Sequence, residues 1–429
     1  MLVAFVVRLL WVLRVQSPHG AVYSDMGGYV ARADELLGLT APGDPRMLAF
    51  YPWGAHVLFA AEFAVLGRSS EVGIAIVHAF FGAVPAACVT LITARLDPSR
   101  WTAAAAGIVA ALWHPQITYA AFFLSELWFT AALLVASWLF LRHLEHKGSS
   151  FAAGCALAVA FVVRPQVILT CAIVGLALVL RSLRSLFAGR FALRDARRWI
   201  FLLLPLACAI GGSSYRLYTL SGRIGLISEN EAIMRLFGST SVSRVEATWE
   251  SKDGRTRSAW FSPAMQHPVK EEDIVRFHGY VADPRILGAI REERVRATPI
   301  SDRLRRMRRN VEHLVLRNYP NPEEDFNRDP RRAFLQRMFR QATLVLLPFA
   351  AIGLIVLRRR VEAIVLVANF LTAIITAALY YAEARYRVPY DPFLIIAAVV
   401  GFSGTARYLE QAWRARGRVR SRSRDAISS

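Results

Sequence analysis

Residues 72–94 read VGIAIVHAFFGAVPAACVTLITA and are followed at once by Arg95. These 23 residues include no Asp, Glu, Lys or Arg. A helix needs about 20 apolar residues to cross a hydrocarbon core about 30 Å thick, so this run is predicted to span a membrane. Apolar blocks recur outward from it, at 2–15, 101–119, 127–141, 151–163, 167–180, 199–217, 342–357, 363–379 and from Phe393 to about 406. With 55% hydrophobic residues overall, the chain reads as an all-α polytopic membrane protein with about ten transmembrane helices.

The same run sets the sidedness. The formal charge is +20, carried almost entirely by arginine; the lysines are Lys147, Lys252 and Lys270. The basic residues sit in loops between apolar blocks: Arg95/Arg100, Arg142/Lys147, residues 181–198, Arg358-Arg359-Arg360 and the tail 407–429. Loops of that kind stay on the cytoplasmic side, which explains the charge without a nucleic-acid partner. If the N-terminus is inside, Asp25 is outside and Arg95 inside, yet two apolar runs lie between them. The shorter, 53–66, contains Glu62 and is predicted to lie in the interface or re-enter, leaving 72–94 to cross. The first segment, 2–15, is short for a span, contains Arg8 and Arg14, and reads as a signal anchor. Cys88, Cys155, Cys171 and Cys208 lie in apolar segments without metal or disulfide spacing.

On this topology the outer face carries the Asp25 loop, residues 113–126, Arg164-Pro165-Gln166, a polar insert at 219–340 and residues 380–391. The insert is too long for a plain connector. Its stretch 300–317 alternates apolar residues and arginines at helical spacing, which fits either a helix lying on the membrane surface or one packed on the insert.

Charged residues beside apolar blocks are the candidates for chemistry. Asp25, in Tyr23-Ser24-Asp25-Met26-Gly27-Gly28-Tyr29, is either an interfacial charge or a catalytic carboxylate. Glu126 is either a helix N-terminal acid, with Ser125 as its cap, or a second carboxylate opposite Asp25. Arg164 interrupts the run 151–180; it either snorkels or presents a fork to a phosphate. Arg385 and Arg387 stand in Tyr380-Tyr381-Ala382-Glu383-Ala384-Arg385-Tyr386-Arg387-Val388-Pro389, a cluster suited to an amphiphile with an anionic head. Tyr29, Tyr51, His56 and Tyr386 are candidates to contact substrate. His56 and His114 are lone histidines near helix ends, which also suits structural roles, and no spacing indicates a metal site.

Taken in order, Ser24-Asp25…Tyr29, Tyr51-Pro52-Trp53-Gly54, Pro115…Ser125-Glu126, Arg164-Pro165 and Arg385-Tyr386-Arg387-Val388-Pro389 resemble the GT-C superfamily of polyprenyl-phosphate-sugar glycosyltransferases. The resemblance is to bacterial relatives of protein O-mannosyltransferases and lipid A aminoarabinose transferases. It covers nearly the whole membrane part; Trp53 stands where the family often has Pro, and the insert matches nothing in it. The resemblance implies sugar transfer at the outer face of the bacterial inner membrane, from a polyprenyl-phosphate donor to a lipid, glycan or protein hydroxyl. It further implies Asp25 as general base, Glu126 either orienting the acceptor or making Asp25 more basic, and Arg385, with Arg164 and Arg387 behind it, on the donor phosphate. It leaves dependence on a divalent metal open. A flippase or transporter for an amphiphile, or a non-catalytic envelope scaffold, are the competing readings. An enzyme requires Asp25, Glu126 and Arg385 to meet.

Overall fold

The computed structural model describes residues 1–186, 193–251, 254–262, 269–317 and 332–428. The centre of the basic 181–198 block and residues 318–331 of the insert lie outside the described residues. Helices α1 (Leu2–Arg14), α2 (Ser24–Leu36), α3 (Pro45–Phe50) and α4 (Trp53–Leu66) precede α5 (Glu71–Leu96), which contains the opening run. Then come α6 (Arg100–Ala111), α7 (His114–Thr118), α8 (Ser125–Leu144), α9 (Ser150–Val163), α10 (Val167–Leu186) and α11 (Leu193–Ser221). The insert holds α12 (Glu231–Ser239), β1 (Arg244–Glu250), β2 (Thr256–Phe261), β3 (Ile274–His278), α13 (Pro284–Ala297) and α14 (Ile300–Glu312). The chain closes with α15 (Arg332–Leu357), α16 (Glu362–Leu379), α17 (Ala384–Arg387) and α18 (Asp391–Ser428). Among the described residues, six helices are long and apolar enough to cross a membrane: α5, α8, α11, α15, α16 and α18; α4, α9 and residues 167–180 are shorter apolar helices. The chain is a multi-pass helical membrane protein.

The basic loops gather at one end of the bundle. Arg95, at the end of α5, pairs with Glu145 just past α8, and Arg360 donates to the Arg95 carbonyl at 3.2 Å. Arg407 grips the buried Asp97 with two bonds of 2.9 and 2.7 Å. Arg198 donates to the His143 carbonyl at 2.7 Å. The opposite end carries the start of α8, the α9–α10 junction and the start of α18. Both ends of α4 belong to that opposite end. Tyr51, two residues before α4, reaches Asp25, and Arg68, just beyond it, pairs with Asp34 of α2 at 2.7 Å. The helix therefore starts and ends at the same end of the bundle. Glu62 itself is buried against His78 of α5 at 3.3 Å.

The expected span 101–119 is not one helix, because α6 stops at Ala111. Buried Arg8 explains the stop. Its guanidinium donates to the carbonyls of Ala111 at 2.9 Å, Ala110 at 3.4 Å and Gln116 at 3.2 Å. These include carbonyls that a helix C-terminus leaves without partners. Twelve residues at 1.5 Å each make a helix of about 18 Å, so α6 ends inside the protein. Gly82 of α5 makes the room: a Cβ there would meet Arg8 Cδ at 2.8 Å.

The insert also departs from an all-helical reading. It contains a three-stranded sheet of order β2-β1-β3, with β2 antiparallel and β3 parallel to β1. The sheet's inner face docks on the segment between α2 and α4. Phe261 stacks on Phe50 at 4.7 Å, Trp249 donates to Asp44 at 2.8 Å, and Tyr280 donates to the Arg46 carbonyl at 2.8 Å. Helix α14 packs on the insert and on the end of α16: Arg306 donates to the Thr240 carbonyl and Asn310 to the Tyr380 carbonyl. Its Ile300 and Leu304 remain exposed.

Helices α15 and α18 pack backbone to backbone through Gly353 and Gly401. A Cβ at either would overlap the facing helix, at the Ala397 or Phe349 carbonyl. Small residues permit this approach where lipid supplies no hydrophobic drive between helices. Gly401→Leu is expected to destabilise the protein by about 3 kcal/mol or more, read as a lowered Tm in detergent. Gly211→Leu, where a Cβ meets nothing within 4 Å, is expected to leave Tm nearly unchanged.

Candidate active site

Helix α2 begins at a sharp corner. Ser24 has φ of 49°, in the left-handed region that a residue with a Cβ rarely adopts. The corner sets Asp25 in the first turn of α2, where the helix dipole favours a negative charge. Met26, Tyr29, Val30 and Ala33 form the buried face, at the three- and four-residue spacing of an amphipathic helix. Gly28 lets Tyr51 lie against this helix, since a Cβ there would sit 3.1 Å from the Tyr51 ring. Arg32 holds the arrangement: it donates to the carbonyls of Gly28 at 2.6 Å and Met47 at 2.8 Å, and covers the Tyr51 ring at 4.8 Å.

Each Asp25 oxygen then has one donor. The Tyr51 hydroxyl donates to Oδ1 at 2.5 Å, and the Arg385 guanidinium to Oδ2 at 2.5 Å. Arg385 also pairs with Glu383 and stands 4.0 Å from Glu126. Glu126, at the start of α8, is fully buried and pairs with Arg164 at 2.5 Å. Arg164 further donates to the Ser125 hydroxyl at 2.9 Å. The Tyr386 ring lies under both cations, 5.5 Å from Arg164 and 5.3 Å from Arg385; its hydroxyl donates to that of Tyr381 at 2.9 Å. Three carboxylates therefore face two guanidiniums, and the Asp25 and Arg385 side chains keep 20% and 17% of their surface open.

The structure thus brings together Asp25, Glu126, Arg164, Arg385, Tyr29, Tyr51 and Tyr386. Tyr29 joins through Ser125, with which it shares a hydrogen bond, and through its ring, 4.9 Å from that of Tyr51. Two expected members are elsewhere. Arg387 is committed to Asp391 at 2.6 Å, to the Val315 carbonyl at 2.7 Å and to Thr343 at 3.0 Å. It ties α18 to α15 and the end of the insert and leaves no fork for a phosphate. His56 is buried with neither ring nitrogen hydrogen-bonded. Burial, with Arg216 and Arg32 adding to it, pushes its imidazole down to about 3. Ser125 does not cap α8, whose N-cap is Leu124; its hydroxyl serves Arg164 instead. Glu383 and Arg32 were not singled out from the sequence, although Glu383 lies in the same run as Arg385.

The electrostatics reverse one expectation. Burial alone raises the Asp25 carboxyl, but the Arg385 charge and then the Tyr51 hydrogen bond outweigh it. The carboxyl is held below its ordinary value rather than moved towards neutrality. Burial and the Asp25 charge push the Tyr51 hydroxyl well above its ordinary value and the Tyr29 hydroxyl up to about 12, so both remain protonated donors. The resting cluster therefore holds an ionised Asp25 between two donors. Among the described residues, no three His, Cys, Asp or Glu side chains gather to hold a metal ion. The carboxylates here are turned to arginines, a donor set that does not fit a divalent cation.

No family model matches the chain, and no curated protein matches it. Among solved structures it is similar to archaeal oligosaccharyltransferase AglB from Archaeoglobus fulgidus, determined in complex with an inhibitory peptide and a dolichol-phosphate. The identity is 14%, the TM-score 0.47, and 96% of this chain and 51% of that chain are covered. The chain thus spans about half the length of that structure.

A carboxyl with a depressed pKa loses its charge only below that pKa. Tyr51→Phe removes one of the donors that depress it, so Asp25 then takes up its proton at higher pH. In a pH profile of whatever activity depends on Asp25, the acid limb is expected to move to higher pH in Tyr51→Phe. An unmoved limb would show that Tyr51 does not act on Asp25.

Proposed function

We propose that the chain is an integral-membrane glycosyltransferase of the GT-C type. It moves a sugar from a polyprenyl-phosphate donor to a hydroxyl acceptor at the outer face of a bacterial inner membrane, with inversion. One observation carries the reading: Asp25, Glu126, Arg164 and Arg385, far apart in sequence, meet at one end of the bundle. They lie opposite the end where the basic loops gather, as an outward-facing site requires. A scaffold has no need of such a meeting, and a transporter places its charges near the midplane.

In this mechanism Asp25 takes the proton of the acceptor hydroxyl. The hydroxyl oxygen bonds to the anomeric carbon from one side while the bond to the phosphate oxygen breaks on the other. The electron pair leaves with the polyprenyl phosphate, whose growing charge needs a cation. Arg385 is the cation beside Asp25, and Arg164 stands behind it through Glu126. Because Arg385 rests on Asp25, a donor phosphate that draws the guanidinium away also frees Oδ2 to receive a proton. Donor binding thereby raises the basicity of Asp25 in the complex, supplying the activation that the resting site lacks. Glu383 and Glu126 hold Arg385 in place during the exchange.

Transfer of radiolabel from polyprenyl-phosphate sugars to membrane acceptors tests the reading. Asp25→Asn is expected to lower transfer by about 10²–10⁴-fold with Tm preserved. Arg385→Lys keeps the charge but loses the fork, and is expected to raise the donor KM more than it lowers kcat. Full transfer by Asp25→Asn would remove Asp25 from the mechanism.

A further inference from the structure

The outer face of the insert's sheet bears an open cavity of about 630 Å³, within the range of about 300–1,000 Å³ common for small-molecule sites. Strand alternation turns Val245, Ala247, Trp249 and Val275 inward and the cavity's polar side chains outward. The register lays these out in two rows across the strands, Trp260–Glu246–Arg276 and Ser258–Thr248–His278. Trp260 is 61% exposed, and the Arg244 guanidinium lies over one face of its ring, 4.6 Å from the ring centre.

The charges of this face cancel among themselves. Glu246 pairs with Arg244 and accepts from Arg276, each at 2.8 Å, and Arg276 also pairs with Glu271 at 2.5 Å. Two guanidiniums are thus matched by two carboxylates, Glu246 in the cavity and Glu271 beside it, so neither cation stands unpaired to draw an anion. What it offers is an exposed indole, one face of it under Arg244, beside planar donors and acceptors fixed by their own ion pairs, and a row of hydroxyls and an imidazole. That combination suits a neutral saccharide. The C–H face of a sugar ring stacks on the indole, while its hydroxyls pair with groups already held in place, which lowers the entropy cost of binding. The opposite face of the same strands rests on the loop that carries Tyr51, through Phe261 and Phe50. A chain bound here is held on the insert that packs, by its other face, against the Tyr51 loop.

We propose that this face of the insert binds a neutral oligosaccharide and that, on the glycosyltransferase reading above, the oligosaccharide is the glycan of the acceptor. Full-length protein in lipid nanodiscs is titrated by calorimetry with neutral hexasaccharides of the glucan and mannan classes and with an oligogalacturonate. At least one neutral chain is expected to bind. Trp260→Ala is expected to weaken it by at least about tenfold, and Trp260→Phe by less. The proposal falls if no neutral chain binds, if only the oligogalacturonate binds, or if Trp260→Ala with an unchanged Tm binds as well as wild type. Neutral binding through Trp260 in a protein that transfers no sugar would keep the surface and discard its assignment to the acceptor.

Discussion

The contact between Asp25 and Arg385 is the constraint around which one end of the bundle is arranged. A carboxylate and a guanidinium this close to an apolar bundle are each costly to desolvate, and each is tolerated because further partners complete it. Tyr51 supplies the second donor to Asp25, and Glu383 and Glu126 supply further acids to Arg385. The balance leaves Asp25 ionised and Arg385 surrounded by acids. On the proposed mechanism such a cation is available to a donor phosphate only by exchange, which would tie the readiness of the base to the presence of the donor.

The insert steadies both halves of this contact. On one side Phe261 stacks on Phe50, the residue before Tyr51. On the other, Asn310 bonds the Tyr380 carbonyl and Phe237 lies against Tyr381 at 5.9 Å, a few residues before Arg385. Gly238 allows this close seating, since a Cβ there would overlap the Tyr380 backbone. A single folded unit thus spans from the loop of the acid to the loop of the cation. Below it, Arg387 and Trp113 both bond Asp391, at 2.6 and 2.8 Å, and anchor the start of α18.

Much of the bundle and of the site was legible in the sequence because charge in apolar surroundings stands out. Asp25, Glu126, Arg164 and Arg385 were each conspicuous on that ground, and their common side followed from the basic loops. The same signal could not separate Arg385 from Arg387, which lie two residues apart. Only the fold turns one to Asp25 and the other to Asp391. Nor could it show that Arg8, noted as an oddity in a short first segment, stops α6 by capping carbonyls about a hundred residues away. The sheet escaped notice because its strands are short and its outer face is polar, so the hydrophobic alternation is weak. The basicity of Asp25 was misjudged for a related reason. Like charge was expected to raise it, and the cation placed against it by the fold does the opposite.

The exchange of Arg385 between Asp25 and a phosphate is the central claim, and a cryo-EM structure with polyprenyl phosphate bound tests it most directly. The account predicts the Arg385 guanidinium on the phosphate oxygens and Asp25 Oδ2 released from it, with Tyr51 still on Oδ1. A phosphate bound elsewhere, with the Asp25–Arg385 pair intact, would contradict it.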